Sequence, residues 1–184
     1  MPYVIALTVL FGALCALNIV LTVGVLRRLR EIEERTAYSG LDLTPGGPEV
    51  MLAVGEQVGH FTTVTTEGAH LSDDFLTDGH TVVGVFAHGC GKCDERLPEF
   101  VDFVRSRGTS RERALALLVG TPEQVAAKRA LAEPVATVVI EELDGPVSVA
   151  LAARVYPALA VIGPDKIVRA EGSLIRNVSS LVDA

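Results

Sequence analysis

The sequence predicts an α/β domain with a largely parallel central sheet, preceded by one membrane-spanning helix. Two apolar, β-prone runs, TVVGVFA at 81–87 and RALALLVG at 113–120, are typical of strands that are buried on both faces of a sheet. Helical patterns alternate with these runs, which favours parallel strands joined by helices. Residues 3–26 contain no Asp, Glu, Lys or Arg, and this run predicts the membrane-spanning helix.

Length and charge limit the classes of protein that the chain can belong to. Its 184 residues leave room for one domain of ordinary size and a short additional segment. The formal net charge is −7, and basic residues cluster in only one short run. A nucleic-acid-binding surface would need an extended basic patch, so we expect no nucleic-acid partner.

Residues 1–27 are interpreted as a retained transmembrane helix. At about 1.5 Å rise per residue, the uncharged run is longer than the ~30 Å hydrocarbon core of a bilayer. A cleaved signal peptide is the alternative, but it requires a charged n-region, a shorter apolar core and a small-residue cleavage site. None of the three is evident here. Cys15 lies within the run and is interpreted as a small apolar residue of the helix.

Residues 28–49 are predicted to be a juxtamembrane linker, and residues 50–184 the folded domain. The linker begins with a charged stretch and continues with 36–48, which is rich in Gly, Pro, Ser and Thr. The arginines between Arg27 and Arg35 all follow the predicted helix. The positive-inside rule therefore places the domain in the cytoplasm of a single-pass membrane protein.

The first half of the domain is organised around the predicted strand Thr81–Ala87. An alternating pattern predicts an earlier strand at Gln57–Thr65, and Leu71–Leu76 is predicted to be a short helix or loop. After the central strand, apolar residues recur at three- and four-residue steps over Lys92–Arg105. This spacing predicts an amphipathic helix, which Pro98 should kink.

The second half continues the alternation of strands and helices. Arg113–Gly120 is predicted to be a strand, and Thr121–Ala132 a helix that Thr121 caps and Pro122 begins. The remaining predicted elements are a strand at Ala136–Glu141, a helix at Val147–Val155, strands at Ala158–Ile162 and Ile167–Ala170, and a closing helix at Leu174–Val182.

Cys90 and Cys93 form the most informative pattern in the chain. Three cysteines are too few for a disulfide-stapled fold, and only these two are close in sequence. Cys90 follows a buried strand at the point where a helix begins, so unpaired N–H groups and the helix dipole favour its thiolate. Cys93 lies one helical turn further on, where its sulfur can reach Cys90. The pair is therefore predicted to form a redox-active disulfide, in which Cys90 exchanges with a partner and Cys93 resolves the mixed disulfide.

Metal binding is the main alternative for this pair. A structural zinc site needs four ligands, and the chain contains no second close cysteine pair. His88 could supply a third ligand to a soft ion such as copper(I), or it could lower the pKa of the nearby thiol, or it could be an exposed loop residue. Lys92 either adds a positive charge beside the cysteines or is a solvated residue of the first helical turn.

Several segments between Val54 and Ala170 resemble membrane-anchored thioredoxin-like proteins of the TlpA, ResA and MauD kind, which are related to the AhpC/TSA redoxins. The resemblance rests on the strand before the cysteines, on the motif CGKC and on LPEF at 97–100. It continues with Val155-Tyr156-Pro157 before ALAVIGP and with IVRAEG. A peroxiredoxin would need a Pro-x-x-x-Thr-x-x-Cys loop, which has no counterpart in this sequence.

The resemblance implies a thioredoxin fold, in which a mixed central sheet is flanked by helices. It also implies that Pro157 is a cis-proline opposite the cysteines and belongs to the catalytic site. A cis X-Pro bond would expose the backbone edge of Tyr156 to a bound client strand. Three features depart from the family pattern. Gly89 replaces the usual Trp, and Gly84 stands where thioredoxins carry a buried carboxylate. The dipeptide between the cysteines is Gly-Lys, not the more usual pair that contains proline.

The predicted function is that of a membrane-tethered thiol–disulfide oxidoreductase with Cys90, Cys93 and Pro157 as site residues and His88, Lys92 and Tyr156 as candidate modulators. We expect no cofactor. The expected partners are client proteins with thiols or disulfides, the membrane, and an unidentified electron-transfer partner. The family precedent places the domain outside the cytoplasm, against the arginines. A tethered metallochaperone using His88 and the two cysteines, and a redox-inactive scaffold, are the alternatives.

Overall fold

The structure, a computed structural model, describes residues 50–179 together with Tyr3 and Gly12. The chain divides into two compact units, Met1–Pro48 and Glu49–Ala184. The predicted transmembrane helix (1–27), apart from Tyr3 and Gly12, and the predicted linker (28–49) lie outside the described residues. Over the described part of the chain, no helix combines the length and the apolar character needed to cross a bilayer.

The second unit contains seven strands and four α-helices in its described part. The strands are β1 (Thr62–Val64), β2 (His70–Ser72), β3 (Thr81–Ala87), β4 (Ala114–Val119), β5 (Thr137–Glu141), β6 (Ala158–Ile162) and β7 (Val168–Gly172). The helices are α1 (Gly91–Ser106), α2 (Ala126–Ala132), α3 (Pro146–Ala150) and α4 (Ile175–Ser179), and short 3₁₀ turns span Asp73–Leu76 and Arg111–Arg113.

Five strands form the main sheet in the order β5-β4-β3-β6-β7. The strands β3, β4 and β5 run parallel, whereas β6 is antiparallel to β3 and to β7. Val85, near the end of β3, pairs with Ala158 at the start of β6. The turn that follows β3 and the residues that precede β6 therefore meet at one edge of the sheet. This edge carries the cysteine pair.

Successive side chains of the central strands are buried on opposite faces of the sheet, as the continuous apolar runs predict. Val83 and Val85 pack with α3, the β1–β2 hairpin and the segment that begins at Val50. Val82 and Phe86 pack with α1, α2 and α4 on the other face. The predicted α/β architecture with a mixed central sheet is therefore confirmed.

Among the predicted elements that lie wholly within the described residues, three are shorter by four residues or more than the sequence pattern indicated. The early strand is reduced to β1, because Gln57 forms only an isolated bridge with Ile167. The helix predicted over Thr121–Ala132 begins at Ala126, since Thr121 and Gln124 hydrogen-bond to each other's backbone N–H and form a separate turn. The helix predicted over Val147–Val155 ends at Ala150, and the left-handed backbone of Ala152 (φ 47°) stops it.

An ion pair between the buried Asp73 and the partly buried Lys166 connects the end of the β1–β2 hairpin to the turn before β7. Lys166 donates a hydrogen bond of 2.6 Å to Asp73, which is 7% exposed, and His60 lies 3.0 Å from the same carboxylate. The ammonium group of Lys166 is the main cause that lowers the pKa of Asp73 from 3.8 to about 2. A carboxylate with a lowered pKa in the folded state stabilises the fold above its ordinary pKa, and this contribution is lost as the carboxylate becomes protonated.

We expect Asp73→Asn to lower the urea midpoint of unfolding at neutral pH, because Lys166 loses its buried partner. The difference from the unmodified chain should shrink as the pH falls from about 4 towards about 2, where the native carboxylate also becomes protonated. Asp74→Asn is the matched control, because Asp74 contacts the same lysine at 3.3 Å but its side chain is 83% exposed. Equal losses from the two substitutions at neutral pH would contradict this expectation.

Candidate active site

The chain leaves β3 through a two-residue turn that places Cys90 at the start of α1. The N–H of His88 donates to the carbonyl of Val119 at 2.8 Å, which continues the parallel pairing with β4 for one more residue. Gly89 then adopts a left-handed conformation with φ 70°. A side chain would be strained in this conformation. The glycine at the position of the family's tryptophan is thus suited to the backbone of the turn.

Cys90 and Cys93 are joined by a disulfide, with their Cα atoms 5.2 Å apart. Cys90 is the N-cap of α1 and is partly exposed, whereas Cys93 lies in the first turn and is 0% exposed. The N–H of Cys93 points to the sulfur of Cys90 at 3.1 Å, and the N–H of Ala87 points to the sulfur of Cys93 at 3.4 Å. Each sulfur therefore has a backbone donor, but only Cys90 offers a sulfur that solvent can approach.

The segment before β6 faces the cysteine pair. The Tyr156–Pro157 peptide bond is cis, as the resemblance implies for Pro157. The carbonyl oxygen of Tyr156 lies 3.6 Å from the sulfur of Cys90. The Tyr156 side chain is partly buried and packs against the apolar clusters on both faces of the sheet. The structure thus brings Cys90, Cys93, Tyr156 and Pro157 together at one edge of the sheet.

The two other candidate modulators have partners of their own. His88 is exposed, and its Nδ1 lies 3.3 Å from the carbonyl oxygen of Gln124. Because a carbonyl oxygen only accepts, Nδ1 is the donor in this hydrogen bond. Lys92 is partly exposed and donates to the carboxylate of Glu95 at 3.3 Å in the same turn of α1.

The described part of the chain has no metal-binding cluster at the cysteines. No three His, Cys, Asp or Glu side chains among residues 50–179 are arranged to hold a metal ion. In this structure the sulfurs of Cys90 and Cys93 are bonded to each other, whereas the metallochaperone alternative requires the reduced pair. A cavity of about 500 Å³ lies between 57–60 and 164–166, at the opposite end of the sheet.

Aromatic rings fill the space beside Gly84, where thioredoxins carry their buried carboxylate. A Cβ atom on Gly84 would lie 2.7 Å from a ring carbon of Phe86 and 3.0 Å from one of Phe100. These two rings also belong to the apolar cluster that contains Cys93. The backbone N–H of Ala87 is therefore a polar group beside the sulfur of Cys93 in otherwise apolar surroundings.

Sequence reasoning did not single out two residues that border this site. Asp94 follows Cys93 directly, and its carboxylate accepts a hydrogen bond from Lys128 of α2. The residue Lys128 is only 8% exposed. A lysine within the apolar pattern of a short helix was the available signal, but the identity of its partner depends on the packing of α2 against α1.

Comparison with solved structures identifies the fold. The chain is similar to the thioredoxin domain of a thiol-disulfide oxidoreductase from Bacteroides vulgatus, with 14% identity, a TM-score of 0.59, and coverage of 72% of this chain and 96% of that one. A thiol:disulfide interchange protein from a Bacteroides species matches with 15% identity and a TM-score of 0.53, over 65% of this chain and 81% of that one.

A secreted disulfide oxidoreductase of Mycobacterium tuberculosis also matches, with 13% identity and a TM-score of 0.51, over 62% of this chain and 87% of that one. No protein-family model and no curated protein matches the sequence. These structural neighbours are thiol-disulfide oxidoreductases, and the described part of this chain has the thioredoxin fold that they share.

Proposed function

We propose that the chain is a thiol–disulfide oxidoreductase that exchanges its Cys90–Cys93 disulfide with the thiols and disulfides of client proteins. One observation carries this proposal. An approachable sulfur at the N-terminus of α1 is bonded to a fully buried sulfur one turn later, opposite a cis-proline. The structural neighbours support it, since they are named as disulfide oxidoreductases or interchange proteins.

The disulfide form oxidises a client dithiol in two steps. A client thiolate attacks the sulfur of Cys90, the Cys90–Cys93 bond breaks, and Cys93 leaves as a thiolate that takes up a proton. A second client thiolate then attacks the client sulfur of the mixed disulfide and releases Cys90. Two electrons and two protons pass from the client to the chain, and the reverse sequence reduces a client disulfide.

The backbone stabilises the charge that develops on each sulfur. The N–H of Ala87 faces Cys93 and stabilises it as the leaving group. The N–H of Cys93 and the positive end of the α1 dipole stabilise a thiolate on Cys90. Attack on Cys90 is favoured over attack on Cys93 because Cys93 is 0% exposed.

Clients bind along the segment that faces Cys90. The carbonyl of Tyr156 lies beside the reactive sulfur, so a client backbone placed against this segment brings its own sulfur towards Cys90. A separate dithiol or disulfide partner must return the chain to its starting redox state after each exchange, because each turnover changes its state by two electrons.

A stoichiometric exchange experiment tests this activity. The oxidised full-length chain is incubated with reduced ribonuclease, and the thiols of both proteins are counted by maleimide labelling. We expect two client thiols to disappear for each Cys90–Cys93 disulfide that opens, at a rate well above that of spontaneous thiol oxidation. Loss of client thiols at the same rate with and without the chain would overturn the proposal.

We further propose that residues 1–27 tether the domain to the membrane and that the domain lies outside the cytoplasm. The uncharged run at 3–26 supports the tether. The family precedent and the secreted mycobacterial neighbour support the outer side, although the arginines between Arg27 and Arg35 favour the inner side.

Labelling of intact cells with a membrane-impermeant maleimide tests the location. We expect Cys90 and Cys93 to be labelled without permeabilisation, after treatment with a membrane-impermeant reductant. Labelling that requires permeabilised cells would place the domain in the cytoplasm and would support the arginines instead. The cytoplasmic result would leave the exchange activity itself unaffected.

A further inference from the structure

A nearly buried lysine is paired with a carboxylate that directly follows the cysteine pair. Lys128 lies in α2, its side chain is 10% exposed, and its ammonium group donates to Asp94, whose side chain is 63% exposed. Lysines are seldom buried to this degree without a partner, because an unpaired ammonium group loses its hydration. Lys128 thus brings a positive charge from the interior of the α1–α2 interface to the carboxylate of Asp94.

Asp94 occupies the part of α1 that stabilises a thiolate on Cys90. It is the acidic residue of the first helical turn, and its N–H lies 3.3 Å from the carbonyl oxygen of Cys90. A residue one turn from the N-cap is close enough to interact electrostatically with it. A bare carboxylate at Asp94 would repel the Cys90 thiolate and compete for the same dipole.

Other charged groups at this end of the domain have contacts of their own. Lys92 and Glu95 pair with each other, and their side chains are 33% and 60% exposed, so solvent screens them. His88 bonds to the carbonyl of Gln124. Lys128 is the cation that makes a direct hydrogen bond to the carboxylate of Asp94.

We propose that Lys128 is a positioning residue that makes the Cys90–Cys93 disulfide easier to reduce by neutralising Asp94. This inference rests on the proposed exchange function. In the dithiol form Cys90 carries negative charge as a thiolate, whereas the disulfide is neutral. Any group that stabilises the thiolate therefore stabilises the reduced form and shifts the equilibrium towards it.

A double-mutant cycle on the full-length chain tests the inference against glutathione. The reaction converts the chain disulfide and two molecules of reduced glutathione to the chain dithiol and one molecule of oxidised glutathione. Lys128→Gln should shift this equilibrium towards the disulfide by roughly two- to five-fold, because Asp94 keeps an unneutralised charge. Asp94→Asn should shift it towards the dithiol, and the double variant should return close to the unmodified chain.

Two further variants separate electrostatics from structure. Lys128→Arg retains the charge and should keep the equilibrium of the unmodified chain. Arg129→Gln removes the adjacent cation of α2, which pairs with Glu133 at 2.7 Å, and should not shift the equilibrium. If Lys128→Gln fails to fold, Asp94→Asn still tests the inference, because it removes the charge of a largely exposed carboxylate while the amide oxygen can still accept a hydrogen bond from Lys128.

The outcomes distinguish this inference from the proposed function. If the unmodified chain does not equilibrate with glutathione, the exchange function itself fails. If the unmodified chain does equilibrate, two results would overturn the inference. Either Lys128→Gln leaves the equilibrium constant with glutathione unchanged, or both single variants shift that constant in the same direction. Opposite shifts of the equilibrium constant that cancel in the double variant support the inference. Loss of packing alone would not shift the constant in opposite directions for the two substitutions.

Discussion

Cys90→Ser is expected to abolish disulfide exchange, reducing it to the background rate of the assay. Cys90 carries the approachable sulfur of the pair, and a serine hydroxyl neither attacks a disulfide nor forms one. The measurement is the rate at which the reduced full-length chain opens the disulfides of insulin, followed by maleimide labelling of the thiols that appear on the separated insulin chains. Exchange that survives at the rate of the unmodified chain would contradict the assignment of Cys90 as the exchanging cysteine.

Cys93→Ser is the matched control for this experiment, because it removes the other half of the same disulfide. Cys90 can still attack a client disulfide in this variant, but no thiol follows to displace the client. A mixed disulfide should therefore accumulate, and intact-mass measurement should find one client chain attached. If Cys90→Ser rather than Cys93→Ser trapped the client, the roles of the two cysteines would be reversed.

Phe100→Ala is expected to lower the free energy of unfolding by about 3–5 kcal/mol, the largest stability effect among our predictions. The ring is 0% exposed and meets Phe86 edge to face, with the ring centroids 5.5 Å apart. It also fills the space beside Gly84, so truncation leaves a cavity in the cluster that contains Cys93. Urea denaturation followed by circular dichroism measures the loss.

Phe75→Ala provides the comparison for this substitution. Phe75 has the same side chain, but it is only partly buried and packs at the margin of the apolar cluster on the other face of the sheet. We expect a clearly smaller loss, since less surface leaves water at this position when the chain folds. Equal losses at the two positions would mean that the rings beside Gly84 are not the centre of this core.

The central strands were predictable because their continuous apolar sequences are typical of strands that are buried on both faces of a sheet. Thr81–Ala87 and Ala158–Ile162 are continuous apolar runs, and the structure gives both strands the predicted bounds. The ends of the short helices were not predictable in the same way. A reciprocal side-chain bond between Thr121 and Gln124 delays α2, and periodicity alone does not reveal such local competition.

Some features of the candidate site were likewise predictable from the sequence, and others depend on the packing of the chain. The disulfide of Cys90 and Cys93 joins residues three apart, so the spacing alone indicates it. The position of Pro157 required a family resemblance, because the proline follows Cys93 only after two further strands and two helices. The partnership of Asp94 with Lys128 joins residues 34 apart on two helices, and only the packing of α1 against α2 specifies it.

The glycines that depart from the family pattern also have physical explanations. Gly89 has a positive φ that a tryptophan would adopt only with strain. Gly84 leaves room for the rings of Phe86 and Phe100, and a carboxylate there would collide with them. These two substitutions change the surroundings of the cysteines without disturbing the strand and turn that present them.

Titration of the cysteine pair against glutathione tests the central claim most directly. A full-length Cys15→Ser chain is equilibrated at ratios of reduced to oxidised glutathione that run from fully oxidising to fully reducing. Free thiols are then blocked with a maleimide, and the mass of the intact chain is measured. If the Cys90–Cys93 disulfide opens and closes reversibly, we expect one transition, in which each molecule carries either no maleimide or two. A mass that stays constant across the whole range of ratios, or two cysteines that become labelled independently, would contradict a redox-active pair at this site.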